Sequence, residues 1–168
     1  MLLAGGFALL AVKNRSRSQE ISDRLTAENI RIKYSAVVIS DSLRAILLDP
    51  RDAALRTAER NKITAATEDL KSTIERLQKD FSYEEKITKP LKNLQEFFPL
   101  TLDLHIARTF ELGENDPIGA RDFFLKAHPP IAKQRNDLVD QLTWAFDDVR
   151  KRGDRNAILI STGAVLGI

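Results

Sequence analysis

Several cationic and hydrogen-bonding side chains occur where a helix would otherwise present apolar residues. Arg44 lies near the end of the first predicted helix, and His128 and Arg135 lie on the apolar stripe of the last one. Arg108, on the helix between them, falls at a level similar to that of Arg44. A buried charge is costly unless something pairs with it, and an arginine matches a carboxylate with two hydrogen bonds. These residues predict a binding site for a small organic anion.

Each candidate also has a purely structural interpretation. Arg44 can pair with Asp41 or Asp49 on its own helix. His128 can be a hydrogen-bonded core histidine, and Arg135 can bridge to an acidic residue of a neighbouring helix. Tyr34 can pack in a subunit interface without touching a ligand. The sequence leaves both sets of interpretations open.

Signatures of catalytic and metal sites are absent from the sequence. There is no glycine-rich phosphate loop, no HExxH and no GxSxG motif. The absence of cysteine excludes disulfides, cysteine metal sites and a thiol nucleophile. His105 and His128 are too few to bind a metal without carboxylates. We therefore expect no enzymatic activity, no metal and no cofactor. The balance of 26 basic and 24 acidic residues does not indicate nucleic-acid binding.

The first predicted helix carries two apolar stripes, of which a monomeric bundle needs only one. The first is a strict alternation of three- and four-residue steps: Leu25, Asn29, Ile32, Ala36, Ile39, Leu43 and Ile46. The second is mixed: Ile30, Tyr34, Val37, Asp41, Arg44 and Leu48. We expect the first stripe to pack inside a bundle and the second to meet a subunit or a ligand, with Tyr34, Asp41 and Arg44 as its polar members.

The rest of the chain predicts three further helices separated by stop signals. Pro50 ends the first helix, and Asp52 is placed to cap the second. Ser82 is placed to cap the third, in whose interior Pro99 should cause a kink or a break. Residues 113–117 supply a C-terminal glycine, an N-cap aspartate and a proline at the first position of the fourth helix. The inward stripe of the second helix is Ile63, Ala66, Leu70, Ile74, Leu77 and Phe81. That of the third helix is Ile87, Leu91, Leu94, Phe98 and Leu102. That of the fourth helix is Phe124, His128, Ile131, Arg135, Leu138, Leu142, Ala145 and Val149.

Four helices joined by short turns predict an all-α, antiparallel up-down-up-down four-helix bundle. Residues 1–12 and 156–168 are uncharged except for the termini and are apolar, yet each is shorter than the roughly 20 residues that span a bilayer. We interpret them as truncated transmembrane helices, into which the first and last helices extend, flanking a sensor domain at 13–155. The alternative is that both are helix ends packed on the domain itself.

This arrangement resembles the periplasmic four-helix-bundle sensor domain of bacterial methyl-accepting chemotaxis receptors, over nearly the whole chain. The local motif is RAILLD at 44–49, which resembles the segment of aspartate and serine receptors whose arginine binds the ligand carboxylate across the dimer interface. Ser35 and Ser40 align with two further arginines of those receptors. His128 lies at the level of a ligand-contacting segment of their last helix.

The resemblance implies a homodimer through the first helix, in the inner membrane with a periplasmic sensor, signalling by displacement of the last helix. The expected ligand-binding residues are Tyr34, Ser40, Asp41, Arg44, Arg108, His128 and Arg135, near the distal dimer interface. A first alternative is the sensor of a membrane histidine kinase or cyclase. A second is a structural or partner-binding bundle without a small ligand. This last alternative predicts that Arg44, His128 and Arg135 are all paired internally.

Overall fold

The chain is all-helical, as the sequence predicts. The computed structural model describes the backbone of residues 2–166 and the side chains of residues 13, 16–17, 19–99, 101–153 and 155. This part of the chain contains no strand. Its five α-helices are α1 (Leu2–Leu48), α2 (Ala53–Asp80), α3 (Glu85–Phe97), α4 (Asp103–Asn115) and α5 (Pro117–Leu166), and a π-helical turn, Phe98–Leu102, joins α3 to α4.

Two compact units share the long helices α1 and α5. The terminal unit combines Met1–Asn29 with Thr143–Ile168, and the central unit is Ile30–Leu142. Within the terminal unit, the Thr143 hydroxyl donates a hydrogen bond to Oδ1 of Asn29 at 3.1 Å and so joins α5 to α1. All the predicted ligand-binding residues lie in the central unit.

The two apolar ends retain a helical backbone. The predicted transmembrane segments, 1–12 and 156–168, fall in α1 and α5 over 2–12 and 156–166, but their side chains lie outside the described residues. Among the residues that the structure describes, no helix combines the length and the apolar character needed to cross a bilayer. The transmembrane assignment therefore stays a prediction.

The two stripes of α1 differ in burial as predicted. Along the first stripe Asn29 is half-buried and the six apolar residues are buried: Leu25, Ile32, Ala36, Ile39, Leu43 and Ile46. All six residues of the second stripe are exposed: Ile30, Tyr34, Val37, Asp41, Arg44 and Leu48. We call this second set the outer stripe of α1. Exposed apolar residues that share one face of a helix mark an interaction surface.

Polar pairs between helices give the direction in which α2 packs against α3 and α4. Three such pairs are Gln78 with Gln95 at 2.9 Å, Lys71 with Asp103 at 2.9 Å, and Arg60 with Glu114 at 3.1 Å. As the residue numbers fall along α2, those of the paired residues rise from α3 into α4. The α2 helix therefore runs antiparallel to the segment formed by α3 and α4. The predicted inward stripe of α2 is buried along its length.

Pro99 disturbs the predicted third helix without ending it. The proline has no amide proton to donate to the carbonyl of Gln95, and the chain widens into a π-helical turn in which the Asp103 amide donates to the carbonyl of Phe98. Phe98 and Leu102 remain buried across this turn. The predicted disturbance at Pro99 thus takes the form of a π-helical turn, and the inward stripe continues through it.

Two predicted caps are present. Oδ1 of Asp52 accepts hydrogen bonds from the amides of Ala54 and Leu55, both at 2.9 Å, at the start of α2. Oδ1 of Asp116 accepts from the amide of Gly119 at 3.0 Å, at the start of α5. Each aspartate satisfies amide donors that the first turn of a helix leaves without a partner.

Two other predicted helix ends are wrong. Ser82 does not cap α3, because the Glu84 amide first closes a turn on the Phe81 carbonyl at 2.9 Å and shifts the start of the helix past the serine. Gly113 is not a C-terminal glycine, because α4 continues through it in helical conformation to Asn115.

Candidate functional site

Arg135 is the most deeply buried cation among the predicted ligand-binding residues, with 6% of its surface exposed. Its Nη1 donates to the carbonyl of Ala36 at 2.8 Å and to the hydroxyl of Ser40 at 2.7 Å, both on α1. Its Nε and Nη2 lie 3.3 and 3.1 Å from Oδ1 of Asn136. The predicted bridge to an acidic residue is therefore wrong: within the described part of the chain, all the partners of this guanidinium are neutral.

Arg44 lies on the outer stripe of α1 and pairs with Asp41. The distance from Nη1 to Oδ1 is 2.9 Å, and the two side chains are 58% and 61% exposed. An ion pair this exposed contributes no more than about 1 kcal/mol. The pairing with Asp41 that the sequence left open is thus present.

His128 is buried against a second histidine, His105 of α4, with 4% and 3% of their surfaces exposed. Nε2 of His105 lies 3.1 Å from Nδ1 of His128. The His128 ring also stacks on Phe124, with 4.3 Å between the ring centroids. The two remaining ring nitrogens, Nδ1 of His105 and Nε2 of His128, are buried without a hydrogen-bond partner. The prediction of a hydrogen-bonded core histidine is confirmed for one nitrogen of His128.

The pairing of the two histidines was not predicted from the sequence. A signal was available, because His105 extends the three- and four-residue spacing of Phe98 and Leu102. That spacing places its ring on the buried face of α4, while Arg108, three residues later, is exposed.

Burial and positive charge together set the protonation of this region. Burial, followed by the positive charges of His105, Arg135 and Arg44, lowers the pKa of His128 to about 4. Burial lowers the pKa of His105 as well. Burial, followed by the charge of Arg44, lowers the pKa of Arg135, which remains charged because a guanidinium keeps its proton in proteins. We call Arg44, His128 and Arg135 the cationic cluster.

Tyr34 and Arg108 are not joined to this cluster by any polar contact. Tyr34 is exposed on the outer stripe and makes no hydrogen bond to the described residues. Nη1 of Arg108 pairs with Oε2 of Glu111 on its own helix at 2.7 Å, and these side chains are 51% and 62% exposed. Ser40 joins the cluster as a hydrogen-bond acceptor of Arg135. Of the seven predicted residues, the structure thus joins Ser40 to Arg135 and Asp41 to Arg44, and the charges of both arginines reach His128.

Ser35, which aligns with a ligand arginine of the chemoreceptors, belongs to a different network. Its hydroxyl donates to Oδ2 of Asp69 on α2 at 3.2 Å. Arg31 donates to both carboxylate oxygens of Asp69, through Nε at 2.8 Å and through Nη2. These hydrogen bonds, led by that of Arg31, lower the pKa of Asp69. Ser35 and Arg31 therefore fasten α1 to α2, a role that the sequence analysis missed.

The described residues contain no group of three histidine or acidic side chains able to hold a metal ion. No family model, curated protein or solved structure matches the chain. We base the functional proposal on the cationic cluster and the outer stripe of α1.

Proposed function

We propose that this chain is the ligand-sensing domain of a bacterial chemoreceptor, periplasmic and held in the inner membrane, which binds a small organic anion near a dimer interface formed by α1. One observation carries the proposal. Arg135 is buried with neutral acceptors alone, and Asp41 is the one carboxylate, among the described residues, that pairs with Arg44. A carboxylate ligand would supply the missing negative charge.

The helical arrangement supports this assignment. If α3, the π-helical turn and α4 act as one bent helix, the chain has the four long helices of an up-down-up-down bundle. The opposed directions of α2 and of the α3–α4 segment agree with that topology. In this proposal the helical ends of α1 and α5 continue into the membrane.

The outer stripe supports a homodimer. Ile30, Tyr34 and Val37 are each more than half exposed, and they share a helix face with Arg44. A two-fold axis along this face would cover the apolar residues of both copies, because the same patch then serves each subunit. It would also bring Arg44 of each copy to the interface, where a ligand meets both subunits.

The long helix α5 supplies a route for the signal. Arg135 belongs to a single helix, Pro117–Leu166, that runs 50 residues to the far end of the described chain. A ligand shifts a two-state equilibrium only by its difference in affinity for the two states. An anion drawn toward Arg135 changes the forces between α1 and α5, and displacement of α5 carries that change toward the membrane.

A thermal-shift screen of the 168-residue chain in detergent, against small carboxylates and amino acids, tests the proposal. Arg44→Ala is compared with Arg108→Ala, which removes an equally exposed arginine with the same three-residue pairing. A ligand at 100 times its dissociation constant stabilises by about 2.7 kcal/mol. We expect a shift in the wild type and in Arg108→Ala that is lost in Arg44→Ala. An equal shift in all three proteins would remove Arg44 from the site.

A second candidate function is a partner-binding helical module without a small ligand. The internal pairing of the cluster favours it, since Arg44 pairs with Asp41, Arg135 with α1 and His128 with His105. The same screen separates the two functions. If no carboxylate stabilises the wild type, the outer stripe of α1 remains as a surface for a protein partner, and the cluster has a structural role.

A further inference from the structure

We propose that the buried pair of His105 and His128 is a proton-binding site, through which acid loosens α5 at Pro129 and Pro130. Protons would then be a second input to the domain, beside the organic anion. The inference stands without that anion, because it rests on the two imidazole rings and on the helix next to them.

The hydrogen-bonding capacity of the two rings shows where a proton binds. A neutral imidazole has one donor nitrogen and one acceptor nitrogen. If one ring donates across the 3.1 Å contact, the other ring accepts there. The two outer nitrogens, Nδ1 of His105 and Nε2 of His128, must then be one donor and one acceptor, whichever tautomers are present. Since both are buried without partners, the pair holds one bare acceptor that is available to a proton.

The surroundings of the pair oppose that proton at neutral pH. The charges that reach His128 are those of Arg44 on α1, His105 on α4 and Arg135 on α5, and all of them are positive when present. The described residues place no carboxylate with the two histidines to form a three-residue group. A first proton therefore creates a buried charge beside two arginines. A second proton leaves an N–H group on each side of the 3.1 Å contact. Because neither nitrogen can then accept a hydrogen bond, the contact breaks.

The backbone next to His128 lacks two of the hydrogen bonds of a regular helix. Pro129 and Pro130 lie inside the helix and lack the amide protons that would bond to the carbonyls of Leu125 and Lys126. The residue before a proline also disfavours helical conformation, and here that residue is His128. A charged His128 can thus reach water through local opening of this segment more readily than through opening of an intact helix.

A nuclear magnetic resonance titration of the 168-residue chain in detergent micelles reads the site directly, because the chain has two histidines. The expected midpoint for His128 is near pH 4, which corresponds to about 300-fold weaker proton binding than that of a free imidazole. Amide exchange of residues 121–128, corrected for intrinsic rates, should accelerate about tenfold or more between pH 7 and pH 4, while the amides of 63–77 on α2 keep their protection.

Two variants separate proton binding from the response. His105→Leu combined with His128→Leu removes both titrating groups and should abolish the acid-dependent exchange in 121–128. Pro129→Ala combined with Pro130→Ala restores two amide donors and should reduce that exchange, while the histidines still titrate. If the leucine variant does not fold, the wild-type titration decides alone. Histidine midpoints near 6.5, or protonation without faster exchange in 121–128, would overturn the proposal.

Discussion

The guanidinium of Arg135 on α5 donates to the hydroxyl of Ser40 on α1 at 2.7 Å, and both side chains are buried. A buried charge with no acid beside it depends on each neutral acceptor that it has. The same Nη1 atom also donates to the carbonyl of Ala36. This contact therefore fastens α5 to α1 at the cationic cluster.

Replacing Ser40 with alanine should destabilise the protein by about 2 kcal/mol, because a hydrogen bond to a charged, buried group is lost. Urea unfolding at pH 7 measures the change. Ser82→Ala is the matched control, since Ser82 is exposed and should alter the free energy of unfolding by less than about 0.5 kcal/mol. Equal effects at both positions would mean that the Ser40 hydroxyl does not support Arg135.

Shortening a side chain to alanine should affect the free energy of unfolding differently on the two stripes of α1. Ile39→Ala should cost about 2–5 kcal/mol of unfolding free energy, because Ile39 is fully buried. Val37→Ala, on the outer stripe, should leave that free energy nearly unchanged and weaken self-association. Chemical unfolding and sedimentation equilibrium measure the two effects. A Val37→Ala protein that self-associates like the wild type would exclude this part of the outer stripe from the dimer interface.

Asp69→Asn should lower the free energy of unfolding by about 1–2 kcal/mol at pH 7, because the guanidinium of Arg31 then faces a neutral amide in place of a carboxylate. The folded-state pKa of Asp69 is lowered below its usual 3.8, so its contribution is present above pH 3.8 and is lost as the pH falls through the lower value. The difference in unfolding free energy between the wild type and Asp69→Asn should therefore become smaller below pH 3.8. Asp137→Asn, which removes an exposed partner of Lys133, is the control and should change stability by less than about 0.5 kcal/mol.

Acid should also destabilise the protein in a higher pH window through His128. Its folded-state pKa is lowered from 6.5 to about 4, so the unfolded chain binds the proton first. The stability that belongs to neutral His128 is thus complete above pH 6.5 and is lost as the pH falls toward 4. We expect a decrease of about 2 kcal/mol between pH 7 and pH 5, measured by urea unfolding in matched buffers. The unfolding free energy of the variant with both His105→Leu and His128→Leu should stay constant in that window. An equal decrease in both proteins would assign the effect to other groups.

Periodicity in the sequence was enough to predict the helical segments and the inward faces of α1, α2 and the α3–α4 segment. On α5 it was less exact, because Ile131, Leu138 and Val149 are half-buried while Val139 and Phe146, which the predicted stripe omits, are buried. The three- and four-residue spacing along α1 separated Ile39, which is buried, from Val37, which is exposed. Local rules also predicted the caps at Asp52 and Asp116, because an N-cap bond forms between residues two or three apart. The same rules failed at Ser82, where a preceding turn shifted the start of α3.

Partners on different helices could not be assigned from spacing. Periodicity gives the face on which Arg135, His128 and Ser35 lie, but the choice of partner depends on the register between helices. That register placed Arg135 against Ser40, His128 against His105 and Ser35 against Asp69. It also left two imidazole nitrogens buried without partners.

By itself, therefore, the sequence determined the all-helical class, the buried and exposed faces of α1 and the position of the Pro99 distortion, because these follow from interactions within a few residues. The tertiary structure alone decided which polar side chains on different helices meet. It paired Arg135 with neutral acceptors, because α5 packs against α1 at Ala36 and Ser40, where the adjacent helix presents a carbonyl and a hydroxyl and no acid.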